Sequence, residues 1–158
     1  MKIEMKPDLE ISIAFEDDAW PKGLENIARQ AIFRVVKKLE IKIISPAEIS
    51  ILLTNDEAQK SLNKQFRKID KPTNVLSFAA LEPFSDISGL IGDISLAYET
   101  LNIEAKNLSI SFEDHFTHLI VHGFLHLLGY DHQNDEQAQR MENLEVQILS
   151  ELNIKSPY

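Results

Sequence analysis

Residues 111–132 read SFEDHFTHLIVHGFLHLLGYDH. Phe112, Phe116, Leu119, Ile120 and Leu127 recur at helical spacing, which predicts a helix over about 112–128 with one apolar stripe. Ser111 with Asp114 can cap its start, and Gly129 can end it by adopting a left-handed conformation. At 100° per residue, His115, His118, His122 and His126 share about 80° of arc on the other side. The stretch is therefore a helix with two working faces, one for a core and one for chemistry.

Working outward, EISIAF at 10–15 alternates like a strand, and residues 22–39 place Leu24, Ile27, Ala28, Ala31, Ile32, Val35 and Val36 at helical spacing. AEISILL at 47–53 predicts a second strand. Thr54 and Glu57 then stand in capping-box order before a helix over about 55–66. VLSFAA at 75–80 and IGDISLAY at 91–98 predict two more strands, joined by a loop rich in turn residues. Helices over 99–107 and 134–151 complete the pattern. Strands come early and helices late, so the expected class is α+β: a small mixed four-stranded sheet packed with helices. A chain of 158 residues without linker or repeat is expected to be a single domain, 1–158.

Composition narrows the chemistry. The chain has no cysteine, so a bound zinc or iron must be held by imidazole or carboxylate. Its net charge of −9 argues against coating nucleic acid by bulk attraction. A local basic patch at Lys60, Lys64, Arg67, Lys68 and Lys71 still offers a nucleic-acid contact, or simply a solvated helix end. The first ten residues mix charge and contain no apolar signal core, and LIVHGFLHLLGY is too short to span a bilayer. A cytoplasmic protein is the expectation.

Histidines four apart on a helix can share one metal ion, but two ligands are too few for a stable site. A reversal at Gly129 can bring up His132 as the third, leaving a fourth position open. His122, His126, Gly129 and His132 occupy the offsets of the metzincin signature H-E-x-x-H-x-x-G-x-x-H, so this is read as a zincin-like metal-binding helix. Gly123 stands where those peptidases carry their general-base glutamate. Its lack of a side chain is read as room for a large substrate beside the metal. Arg67 can hold a phosphate through two parallel hydrogen bonds, whereas Lys64, Lys68 and Lys71 attract without fixing.

HGFLHLLGYDH at 122–132, with FRKIDKPTNVLSF at 66–78 and IGDIS at 91–95, resembles the bacterial YbeY endoribonuclease family. The resemblance implies a metal-dependent, single-strand-specific endoribonuclease that matures the 3′ end of small-subunit ribosomal RNA and serves ribosome quality control. It implies zinc on His122, His126 and His132, a functional role for Arg67, and RNA and ribosome-associated proteins as partners. Neither DNA nor a membrane is an expected partner. A metallopeptidase and a non-catalytic ribosome assembly factor with zinc stand as the alternatives. Of the remaining polar residues, Asp93 is read as structural, bonded to a loop, with orientation of a metal ligand as the alternative. Asp131 either orients His132 or satisfies turn amides, His118 is a proton carrier or a packed neighbour, and His115 is a surface residue.

Overall fold

A computed structural model describes residues 8–158; the first seven residues, which carry most of the N-terminal charge pattern read above, lie outside the described residues. Among the described residues nine elements follow one another: β1 (Glu10–Phe15), α1 (Leu24–Lys38), β2 (Ile43–Thr54), α2 (Asp56–Arg67), β3 (Val75–Ala79), β4 (Ile87–Ala97), α3 (Tyr98–Asn107), α4 (Phe112–Leu128) and α5 (Asp135–Glu151). The strands pair in the order β1-β2-β4-β3. β1, β2 and β4 run parallel, with α1 as the crossover between the first two, while β3 lies antiparallel on the far edge.

Alternation along β2 shows which face is inside. Ala47, Ile49, Ile51 and Leu53 are buried, and Glu48, Ser50 and Leu52 between them are not. On that inner face lies α4, which contacts α1, α3, α5, β3 and β4. Its Phe116, Leu119, Ile120, Phe124 and Leu127 interlock with Ile94 and Leu96 of β4 in one cluster. At Ser95 the outer face of β4 is covered too, by α2, where the Gln59 side-chain amide donates to the Ser95 carbonyl at 2.8 Å. Each fully buried Leu, Ile or Phe contributes about 2 kcal/mol, so the burial around α4 anchors the site helix firmly.

Several expectations need correction in detail. β2 begins at Ile43 and runs through Ser45-Pro46, a dipeptide that reads as a break. Its register against β4 slips between Ile44 and Ala47, and such an irregularity accommodates a residue with no N–H to donate. The cap of α2 is Asn55, whose side chain accepts from the Ala58 amide at 2.9 Å. Thr54 instead ends β2, its carbonyl receiving the Trp20 indole N–H at 2.9 Å. His115 is a core residue, 4% exposed, with Nε2 2.9 Å from the Glu104 carboxylate. Packing against α3 decides this, and helical position alone could not. Among the described residues no helix is long and apolar enough to cross a membrane.

Candidate active site

α4 begins as its sequence predicts, with the Ser111 hydroxyl accepting from the Asp114 amide, and ends at Gly129 with φ of 116°. That backbone region is open to glycine, and Gly129 has a second reason for lacking a side chain. A Cβ there would stand 2.9 Å from Cα of Pro83, in the loop that donates the Phe84 amide to the Leu128 carbonyl. The reversal brings His132 back against the helix. Ring centroids of His122, His126 and His132 lie 4.6, 5.0 and 5.6 Å apart, and one ring nitrogen from each falls within 4.8 Å of the others.

The fit to a metal ion can be judged from the nitrogens themselves. Nε2 of His122 and Nε2 of His126 stand 3.1 Å apart. Two ligands of a tetrahedral zinc, each about 2.0–2.1 Å from the ion, are separated by roughly 3.3 Å. Burial, with the neighbouring His122 and His132 adding, pushes the His126 imidazole down to about 4 against the opposing pull of Asp131 and the Tyr130 backbone. His126 therefore keeps a free lone pair at neutral pH. Three imidazole nitrogens without a thiolate suit zinc and other borderline first-row ions, so the residues present fit the group.

Behind His122 lies a carboxylate that sequence reasoning missed. Glu145 of α5 is 1% exposed and approaches both His118 Nε2, at 2.7 Å, and His122 Nδ1, at 3.1 Å, with the same oxygen. Burial alone would raise this carboxyl. The hydrogen bonds and charges of the two histidines outweigh it and hold the group at about 2, so Glu145 is ionised. The available signal was its place on α5: Met141, Glu145 and Ile148 follow helical spacing, which puts a carboxylate in an apolar stripe.

Arg67 closes α2 on the opposite wall. Its Nη2 donates to the Ser77 carbonyl at 2.7 Å, and its guanidinium lies 5.8 Å from the Phe78 ring centroid. The Ser77 hydroxyl donates in turn to the Gly123 carbonyl at 3.0 Å, so β3 links the arginine to the histidine helix. Arg67 and all three histidines line one cleft of about 920 Å³, together with Lys71 and Asn74. Of the other cations, Lys60 and Lys64 sit 3.9 and 4.0 Å from Asp70 in exposed pairs that contribute little to stability.

The endoribonuclease YbeY family model matches residues 10–153. The chain belongs to this family. An endoribonuclease YbeY of Bradyrhizobium sp. (strain BTAi1) is 42% identical, the alignment covering 96% of this chain and 92% of that protein. The Bartonella henselae endoribonuclease YbeY is 45% identical over 94% of this chain and 96% of its own length. Among solved structures, the solution structure of a protein from Thermotoga maritima superposes with a TM-score of 0.58 at 27% identity, covering 90% of this chain and 91% of that one.

Of two further residues, Asp93 departs from expectation and Asp131 takes one of the two roles expected of it. Asp93 is exposed, on the outer face of β4 and away from the histidines, beside a separate groove of about 520 Å³ that Ser50, Phe66 and Phe78 also line. Solvent supplies the explanation that a buried carboxylate would have needed. Asp131 accepts from the His132 amide at 2.8 Å and so serves the turn, with its oxygen 4.0 Å from His126 Nδ1.

Gly123 makes no room beside the three histidines. It is buried against the sheet, and a Cβ on it would meet Ile94 Cγ2 and Ser77 Oγ, each at 3.1 Å. The glycine lets α4 approach β3 and β4. Gly123→Glu is therefore expected to destabilise the fold by about 3 kcal/mol without creating peptidase activity. Urea unfolding and a casein digest would check the two halves of that statement.

Proposed function

We propose that the protein is a zinc-dependent endoribonuclease, one catalytic domain spanning the chain, that cuts single-stranded RNA in late ribosomal RNA processing. The substrate proposed is the precursor of the 3′ end of small-subunit RNA, with a related role in ribosome quality control. Family membership supports RNA cleavage, and the observation that carries the site is the convergence of three imidazoles and one arginine in a single cleft. On this reading α4 and its returning turn form a zincin-like metal site.

His122, His126 and His132 would hold the ion, which supplies Lewis acidity toward the phosphoryl oxygens. Arg67 presents N–H groups for a phosphate, its plane steadied by the Ser77 carbonyl on one nitrogen and the Phe78 ring alongside. Lys71, in the same cleft, draws the RNA backbone in without fixing its orientation. A peptidase would need a carboxylate free to act as base. Position 123 has none and faces the sheet, and the Glu145 carboxylate is occupied by His118, His122 and Tyr158. The chain's acidity fits delivery by a ribosome-associated protein in the cytoplasm better than unaided binding to RNA.

Parallel digests of end-labelled single-stranded RNA and of casein test this assignment. The expected result is cut RNA and intact casein, with RNA cleavage lost after chelation and restored by zinc. Casein cleavage, or RNA cleavage indifferent to chelation, would contradict it. Product ends identify the nucleophile, because a 2′,3′-cyclic phosphate marks attack by the RNA 2′-hydroxyl.

A further inference from the structure

Glu145 receives more than the two histidines. The Tyr158 hydroxyl donates to its other oxygen, Oε2, at 3.0 Å and lies 3.4 Å from His118 Nε2. Three groups, two from α4 and the third from Tyr158, thus converge on one buried carboxylate. The Glu145 oxygen stands within hydrogen-bond reach of both rings, and a histidine N–H is the donor that such a contact needs. For His122 the proton is then on Nδ1, and Nε2, the nitrogen 3.1 Å from His126 Nε2, is left with its lone pair. His118 uses its Nε2 on the same carboxylate oxygen, which makes it a co-tenant of Glu145 and takes it out of the metal set.

We propose that Glu145, braced by Tyr158, is the positioning residue of the metal centre, fixing the tautomer and ring orientation of His122. The inference rests on the reading of His122 as a metal ligand. It extends the site beyond the histidine motif to α5 and to the chain's final side chain. Partners of this kind, hydrogen-bonded to the far nitrogen of a ligating histidine, typically change metal affinity 10- to 100-fold when replaced. Glutamine at 145 keeps one acceptor oxygen, so it cannot accept at once from the histidines, which share Oε1, and from Tyr158 at Oε2, and it brings no charge to hold two N–H donors on one atom.

The test uses the full chain as wild type, Glu145→Gln and Tyr158→Phe. Zinc affinity is measured by competition with a chromophoric chelator, and the His122 tautomer by nitrogen-15 NMR of the zinc-free protein. Expected are an Nδ1–H tautomer in the wild type, its loss in Glu145→Gln, and zinc binding weaker by about 10- to 100-fold. Tyr158→Phe should shift affinity in the same direction by less than about tenfold. Tyr158 is 60% exposed, so this variant retains the fold and carries the test even if Glu145→Gln does not fold. Wild-type zinc affinity and an unchanged His122 tautomer in both variants would overturn the proposal alone. A wild-type protein that binds no zinc would overturn the metal reading and this inference with it.

Discussion

His126→Ala is expected to release zinc from the protein and to lower RNA cleavage at least about 10³-fold, the loss that follows removal of a principal charge stabiliser. His126 sits between the other two rings, with centroids 4.6 and 5.0 Å away, and faces His122 nitrogen to nitrogen. Alanine would leave two imidazoles, one of them on the exposed turn, and two ligands do not make a stable zinc site. The fold should survive, because His126 lies at the cleft and is only partly buried, while its helix is held by Phe124, Leu125, Leu127 and Leu128. Metal content per chain, cleavage rate and a thermal unfolding curve separate these effects. A variant that kept one zinc per chain would show that the ion sits elsewhere.

Arg67→Ala should leave zinc content unchanged and lower cleavage about 10²- to 10³-fold. The distinction follows from geometry: the arginine reaches the cleft from α2 and bonds to Ser77 of β3, whereas the histidines stand on α4 and its returning turn. Arg67→Lys should recover only a small part of the loss, since a lysine brings charge but not a planar pair of donors. Because Arg67 is exposed, the stability of either variant should stay close to that of the wild type. Full activity in Arg67→Lys would reduce the guanidinium to a diffuse attraction for RNA.

How far the site could be read in the sequence depends on how local each signal was. Ser111, the apolar stripe, the histidine face and Gly129 all lie within one helix and its turn, and the structure places them as their spacing predicts. Gly123 was equally visible, yet its meaning depended on Ile94 and Ser77, residues that only the sheet brings near. Glu145 follows His122 by 23 positions and sits on a different helix, so no spacing rule joins the two. Its one local mark was a carboxylate among apolar residues. His115 and Asp93 exchanged the environments expected of them, because α3 buries the first and the uncovered part of the sheet's outer face exposes the second. In the fold, alternation located the strands, but irregular register hid the early part of β2 behind Pro46.

The same packing connects the fold to the chemistry. α4 is seated between the sheet and three helices, so His122 and His126 project from a rigid element, which holds a site more precisely than loops do. Ser77 extends that rigidity to the other wall, accepting from Arg67 and donating to the Gly123 carbonyl. α5 supports His122 from behind. A cleft with both walls tied to one helix suits a flexible substrate that must be held at a single phosphodiester.

The most direct test is cleavage of one end-labelled, single-stranded ribosomal RNA fragment by wild type, His126→Ala and Arg67→Ala, purified identically and assayed side by side. The account predicts cutting by the wild type alone, with zinc retained by Arg67→Ala and lost from His126→Ala. Equal cutting by all three proteins would place the activity outside this cleft. No cutting by a zinc-loaded wild type would point instead to a protein that binds the ribosome without cleaving its RNA.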